Sequence, residues 1–155
     1  MMDATITAQP LAEKLPRDSD GWLLCSYCGM RTELLDSSED IYGKDYGPVY
    51  RCPIGCGWVG CHKDSAKRKP LGRIANLELR RAKQAAHVAF DALWKRKGYL
   101  LGGRRQHYRE ARRNGYRWLA GQLGISEDVC HIGMMSVEGC HRVIEVCKPY
   151  DRGWR

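Results

Sequence analysis

The chain has 155 residues, 43% apolar and 28% charged, a composition that excludes wholesale disorder and suits one ordinary domain or a small metal module joined to a helical part. No apolar run approaches the roughly eighteen residues of a membrane span, and the N-terminal stretch, acidic at Asp3 and lacking an apolar segment, does not read as a signal peptide; a cytoplasmic protein with no membrane partner is expected. The net charge of +8 is concentrated, because residues 63–117 carry 17 basic and 4 acidic side chains, against 5 and 9 in residues 1–62 and 4 and 5 in residues 118–155. Segregation of this kind points to a polyanionic partner, nucleic acid foremost, ahead of a face that merely keeps the chain soluble.

Residues 1–20, in which Asp, Pro and Ser are prominent, are expected to form a flexible leader. Residues 21–62 have the pattern of a zinc-ribbon-like module. In a reducing compartment, eight cysteines point to metal ligation or burial rather than disulfides. Cys25-Ser26-Tyr27-Cys28-Gly29 is a C-x-x-C knuckle whose turning backbone sets two sulfurs at the bite of a tetrahedral zinc, with Gly29 able to take the left-handed turn. A second knuckle, Cys52-Pro53-Ile54-Gly55-Cys56-Gly57, is one residue longer and follows after 23 intervening residues. The flanking segments RTELL and PVYRC are expected to be short strands. A four-thiolate Zn2+ site at Cys25, Cys28, Cys52 and Cys56 is therefore predicted. Replacement of Cys56 by Cys61 or His62 is the competing arrangement, although eight residues separate Cys52 from Cys61 and would make a wider loop.

Residues 63–73 read as a basic linker and residues 74–150 as a helical domain. From Ile74 to about Lys97, Leu79, Ala82, Ala86, Phe90 and Leu93 recur at three- and four-residue steps and share one helix face. Gly98, Gly102 and Gly103 are expected to break that helix. A second spans about Arg104 to Leu123, with Tyr108, Ala111, Tyr116, Leu119 and Leu123 on its apolar side and Gly124 as its stop. A third is predicted from a Ser136 cap to Cys147, with Val137, Cys140, Ile144 and Cys147 on one side. The expected fold is α+β: a zinc-ribbon-like N-terminal module packed on a three-helix C-terminal part.

On the second helix Arg105, Arg109, Arg113 and Arg117 recur every four residues, flanked by Arg104 and Arg112, and trace a stripe about 18 Å long. Unpaired guanidinium groups at this spacing repel one another, so they do little for the helix itself but match a phosphate backbone in charge and donor geometry. Arg73, Arg80, Arg81 and Lys83 form a second patch, and Lys67, Arg68 and Lys69 a third. Phosphate contacts carry no sequence information, so DNA and structured RNA are equally compatible. The dipeptide Cys-His at 61–62, 130–131 and 140–141 raises a second metal site, but Cys140 and Cys147 fall on an apolar helix face where packing accounts for them. His87 and Asp91, one turn apart, can pair, more commonly as a surface ion pair than to orient a base or a ligand.

The segments YRCPIGCGWVGCH, PLGRIANLELRRAKQAAHVAFDALW, RRNGYRWLAGQLGI and CHIGMMSVEGCHRVIEVC, taken in order, resemble an uncharacterised zinc-finger-containing family of small phage and bacterial proteins over about residues 22–147. The resemblance implies a zinc finger followed by helices, a phage or prophage origin and action in the host cytoplasm. In the family the second knuckle is usually C-x-x-C with a His shortly after it; here it is C-x-x-x-C and the His is His62. His62, His87, Asp91, Arg112 and His131 fall on matching motif positions, which implies a shared polar site. The expectation is a zinc-binding, nucleic-acid-binding accessory protein of phage type, a binding protein rather than an enzyme. Two alternatives stand beside it: a protein–protein module that inhibits or redirects host machinery (RNA polymerase, the ribosome or another ribonucleoprotein, a defence complex), and a metal-dependent nuclease with His62, His87, Asp91 and His131 at an open site.

Overall fold

The cysteine-bearing part of the chain folds around a small antiparallel sheet. In the computed structural model, which describes residues 10–151, three strands lie in the order β1 (Glu33–Leu35), β2 (Val49–Arg51), β3 (Trp58–Gly60). The register places Leu34 opposite Tyr50 and Tyr50 opposite Val59, while Glu33 and Arg51 face each other and pair at 3.1 Å. Both predicted strands form. The third was not anticipated: three residues are too few for an alternating pattern to show. The connector after β1 contains a one-turn helix, α1 (Glu39–Tyr42), closed by Gly43 in the left-handed conformation. Asp45 shapes the following turn by accepting from the amides of Ser38 and Gly47.

Three longer helices follow: α2 (Leu77–Leu100), α3 (Arg105–Leu123) and α4 (Val137–Cys147), with a 3-10 turn at Ile132–Met134 before α4 and another at Lys148–Tyr150 after it. The α+β architecture with three C-terminal helices is the one expected. Helix α2 begins three residues later than Ile74 because Ala75 is drawn into a bridge with Trp58, and Asn76 caps the helix by accepting from the Leu79 amide. It also runs past Gly98, which does not break it. Gly98 is buried against Tyr108, whose ring and Cα stand where a Cβ would go, so α2 and α3 meet there without a side chain between them. The caps of the other helices are as predicted: Gly124 ends α3 at φ 65°, and the Ser136 hydroxyl accepts from Gly139 at the start of α4.

Two apolar clusters result. Helix α2 packs on both α3 and α4, burying Leu79, Ala86, Phe90, Leu119, Ile132, Met135, Cys140 and Val143. Leu23, Cys25, Tyr50, Cys52, Val59 and Ile74 form a smaller cluster under the sheet. The leader expected over residues 1–20 lies partly outside the described residues; from Pro10 onward it is built into the fold. Ala12 bridges Met135, the Leu11 carbonyl accepts from the Ser136 amide at 3.0 Å, and Leu15 packs on the smaller cluster. The segment thus runs from one cluster to the other.

The start of α2 is clamped to β3. Trp58 and Ala75 exchange backbone hydrogen bonds at 3.3 and 3.2 Å. Arg80, one turn into α2, donates to the Trp58 carbonyl at 2.7 Å, stacks over the Trp58 ring at 4.1 Å and donates to the Tyr42 hydroxyl at 3.3 Å. Trp58 in turn donates from Nε1 to that hydroxyl at 2.7 Å.

Candidate metal centre and nucleic-acid interface

The two knuckles bring Cys25, Cys28, Cys52 and Cys56 together, with their Sγ atoms all within 4.8 Å of one another and the Cys28 and Cys52 sulfurs 3.6 Å apart. Four sulfurs about 2.3 Å from a central zinc stand about 3.8 Å from each other, so the cluster has the size and the soft donors of a tetrahedral thiolate site. Each knuckle closes through a carbonyl of its first cysteine. The Cys25 carbonyl accepts from Gly29 at 2.9 Å, and the Cys52 carbonyl accepts from Gly55 at 3.0 Å. Both glycines are in the left-handed region, φ 76° and 85°. The extra residue of the second knuckle is absorbed at Gly55, and Cys56 still reaches the cluster. Cys61 and His62, the alternates, lie outside it. Cys61 packs beside the smaller core and bridges Pro70, and His62 is exposed.

The electrostatics of the cluster are those of sulfurs sharing protons. Burial pushes the Cys52 thiol up, but the amides of Cys56 and Ile54 and the thiols of Cys28 and Cys56 outweigh it and hold it down to about 7. Cys56 is pushed up to about 12, first by its hydrogen bond to Cys52 and then by burial. Burial also raises Cys25. Cys52 takes negative charge easily while Cys25 and Cys56 hold their protons, and a divalent cation would replace those protons in a thiolate set.

Among the described residues no other group of three or more Cys, His, Asp or Glu side chains has its ligand atoms so close. Cys130, Cys140 and Cys147 are at most 2% exposed in the helical core, where burial pushes each thiol up to about 11. His62, His87, Asp91 and His131 are not assembled as one ligand set. His87 pairs with Asp91 at 3.5 Å, and Trp94 donates to the same carboxylate at 2.8 Å. Burial raises the Asp91 carboxyl, but these partners outweigh it and hold it below the usual range. His131 packs on the Tyr116 ring with centroids 4.9 Å apart, and Arg112 lies 5.4 Å from the same ring. Partial burial, then the charges of Arg112, Lys69 and His62, lower the His131 pKa, so this imidazole is held neutral beside cations.

The basic residues separate into two populations. Arg104, Arg105, Arg109, Arg112 and Arg113 are exposed on or beside α3, and Arg105, Arg109 and Arg113 have no ion-pair partner among the described residues. Arg117 continues the stripe but pairs with Glu127 at 3.6 Å. Arg81, Lys67 and Lys69 are exposed, whereas Arg68 is paired with Asp36. Arg73 and Arg80, expected in the basic surface, are engaged within the fold instead. The Arg73 side chain is 12% exposed and faces Glu13 at 3.8 Å, and Arg80 forms the clamp on Trp58. Lys83 is also drawn inward, donating to the Arg73 carbonyl at 3.4 Å, and burial pushes its ammonium down to about 8. The Tyr42–Trp58–Arg80 cluster escaped the sequence reading; an aromatic residue beside a knuckle glycine, in GWVG, was its one visible signal.

A family model described as a zinc-finger-containing domain matches residues 22–150. The chain belongs to this family. The match runs from Trp22, just ahead of the first knuckle, to the 3-10 turn after α4, so zinc finger and helices fall within one family unit. Together with the four-sulfur cluster, membership assigns Zn2+ as the cofactor. No curated protein and no solved structure matches the chain. No helix among the described residues is long and apolar enough to cross a membrane.

Proposed function

We propose that this zinc-finger protein binds nucleic acid through the exposed face of α3, as an accessory protein of phage type whose metal centre is structural. The observation that carries the reading is the run of Arg105, Arg109 and Arg113, exposed at four-residue steps and without ion-pair partners among the described residues. Such a row is costly to hold by itself and favourable against a polyphosphate. Cys25, Cys28, Cys52 and Cys56 would hold the zinc, and four protein thiolates leave no coordination position for a substrate water. The role of the metal would be to fix a sheet with few buried residues of its own, and through the Trp58–Arg80 clamp to fix the start of α2.

The test is a salt titration of binding to duplex DNA and to structured RNA. Contacts with about six phosphates give a log–log slope near −5, and an Arg105→Ala/Arg109→Ala/Arg113→Ala variant flattens it by about 2.7. A slope near zero in the native protein defeats the reading. A protein partner among host machinery is the second reading. It is favoured by the groove of about 530 Å³ between α2 and α4, lined by Leu77, Ala85, Val137 and Ile144 together with Glu78, Arg81 and His141. A nuclease with its own metal has less support, because His62, His87, Asp91 and His131 do not meet as a ligand set.

A further inference from the structure

Beside the zinc module, and away from the arginine row of α3, lies a cleft of about 490 Å³ walled by Trp22 and Tyr50 and lined by Arg17, Ser65, Lys67 and Lys69, with no acidic side chain in its lining. Its size is that of a small-ligand site. The aromatic wall is fixed, with Tyr50 only 7% exposed so that Trp22 supplies most of the accessible ring surface, and with the Arg31 guanidinium over the Trp22 ring at 4.9 Å. Trp22 and Tyr50 meet edge to face with centroids 5.8 Å apart, and Trp22 donates from Nε1 to the Thr32 carbonyl at 2.7 Å. The Tyr50 hydroxyl donates to the Arg68 carbonyl at 3.0 Å.

That last bond ties the wall to the lysine-bearing loop, which is itself held in an uncommon shape. Arg68 has φ 49°, the one non-glycine residue in the left-handed region among those described. The conformation is kept by the Arg68 amide donating to the Ser65 carbonyl at 3.0 Å, by the Lys69 amide donating to Ser65 Oγ at 3.0 Å, and by the Arg68–Asp36 pair. Asp36 neutralises Arg68 and leaves Lys67 and Lys69 on either side of it, both exposed and both in the cleft lining. A left-handed conformation is unfavourable for a non-glycine residue and persists only where its surroundings enforce it. Here the enforced shape sets two ammonium groups at the mouth of an aromatic-walled cleft.

We infer that this cleft binds one unpaired nucleotide of a nucleic-acid strand, its base against the Trp22–Tyr50 wall and its phosphates held by Lys67, Lys69 and Arg17. Aromatic walls accept any base because every base has a π-face, and flexible ammonium groups suit phosphates as point charges. A duplex cannot place a stacked base in such a cleft, so the site discriminates strand ends and loops from paired helix. The inference rests on the nucleic-acid reading above and adds the class of ligand to it. DNA and RNA single strands share this chemistry.

The experiment measures binding of hexathymidylate, hexauridylate and a twelve-base-pair duplex by native protein, by Lys67→Ala/Lys69→Ala and by Trp22→Phe, with zinc content and circular dichroism as fold checks. Expected is a loss of at least tenfold in affinity for the hexamers in the lysine variant and of at least threefold in Trp22→Phe. The hexamer salt slope should fall by about 1.4, and duplex affinity should change less than threefold. A preference for one hexamer over the other identifies the natural strand. Unchanged hexamer binding in the lysine variant overturns the inference, as does an equal loss on the duplex. Native protein that binds duplex but neither hexamer removes the cleft and leaves the α3 reading standing; native protein that binds nothing removes both.

Discussion

Among the described residues, the helical core gathers sixteen buried side chains around Phe90, Leu119, Ile132 and Val143, while the cluster under the sheet has six, two of them the cysteines Cys25 and Cys52. The first can be held by apolar burial. The second is too small for that and carries the metal-binding thiols at its centre, as expected of a module whose folding free energy is largely metal-binding free energy. The comparison separates two questions that are usually one: what keeps the chain folded, and what keeps its basic residues in place. Arg105, Arg109 and Arg113 ride on a helix of the larger core, whereas Lys67 and Lys69 flank Arg68, which is tied to Tyr50 and Asp36 of the module.

Removing zinc with a chelator tests that contrast most severely. Structural zinc contributes about 10–16 kcal/mol to small metal modules. The fluorescence and near-UV signals of Trp22 and Trp58 should therefore collapse while far-UV circular dichroism keeps most of the helical signal; simultaneous loss of both would show one cooperative unit. The converse change is Phe90→Ala, in a residue 1% exposed with its ring 4.6 Å from that of Tyr116. It should cost about 3–5 kcal/mol in urea unfolding and leave zinc content unchanged under native conditions. Gly98→Ala drives a methyl group into Tyr108 at the α2–α3 contact. A loss of about 1–3 kcal/mol, again without loss of zinc, is expected, and an unchanged urea midpoint would show that the two helices can part freely.

A further test concerns Lys83, where the two regions meet. Its pKa is pushed down to about 8 from 10.5, chiefly by burial, with Cys140 opposing the shift and Arg73 and Arg80 adding to it. Because the folded value lies below the unfolded one, the folded state releases this proton first. The contribution of Lys83 to stability is full only above about 10.5 and is lost as pH falls through about 8. Lys83→Met abolishes the titration, so native protein should gain on the variant as pH rises across that window. A constant difference in urea midpoint would mean that the ammonium is solvated.

Much of the helical core could be read in advance because Leu79, Ala82, Ala86 and Phe90 obey a period set by the helix alone, and each is buried. The metal cluster was legible for a similar reason: the geometry of a knuckle is local, and Gly29 and Gly55 sit where the turns require them. What escaped the reading depends on partners distant in sequence. Gly98 looks like a breaker until Tyr108 is seen against it, and Ile74 and Ala75 look helical until Trp58 claims the backbone of Ala75. Arg73 and Arg80 look like surface cations for the same reason: nothing local announces that Glu13 and Trp58 will meet them. The polar residues His87 and His131 also divide by this rule. His87 finds Asp91 one turn away, whereas the contact of His131 with Tyr116 appears only once α3 and the 3-10 turn are packed together.

Seven of the eight thiols, all but Cys61, consequently face oxidants and alkylating reagents under two kinds of protection. Cys130, Cys140 and Cys147 react only when the helical core opens, so their labelling rates report unfolding. Zinc bound at the knuckles would shield their sulfurs, and a zinc-stripping oxidant would then expose them with the helices still folded. With Cys28 and Cys52 only 3.6 Å apart, their oxidation to a disulfide could close the module by a covalent bond. Damage at the metal centre would then be recorded as a cross-link between the two knuckles, reversible by thiol reductants, before any loss of helix could be detected.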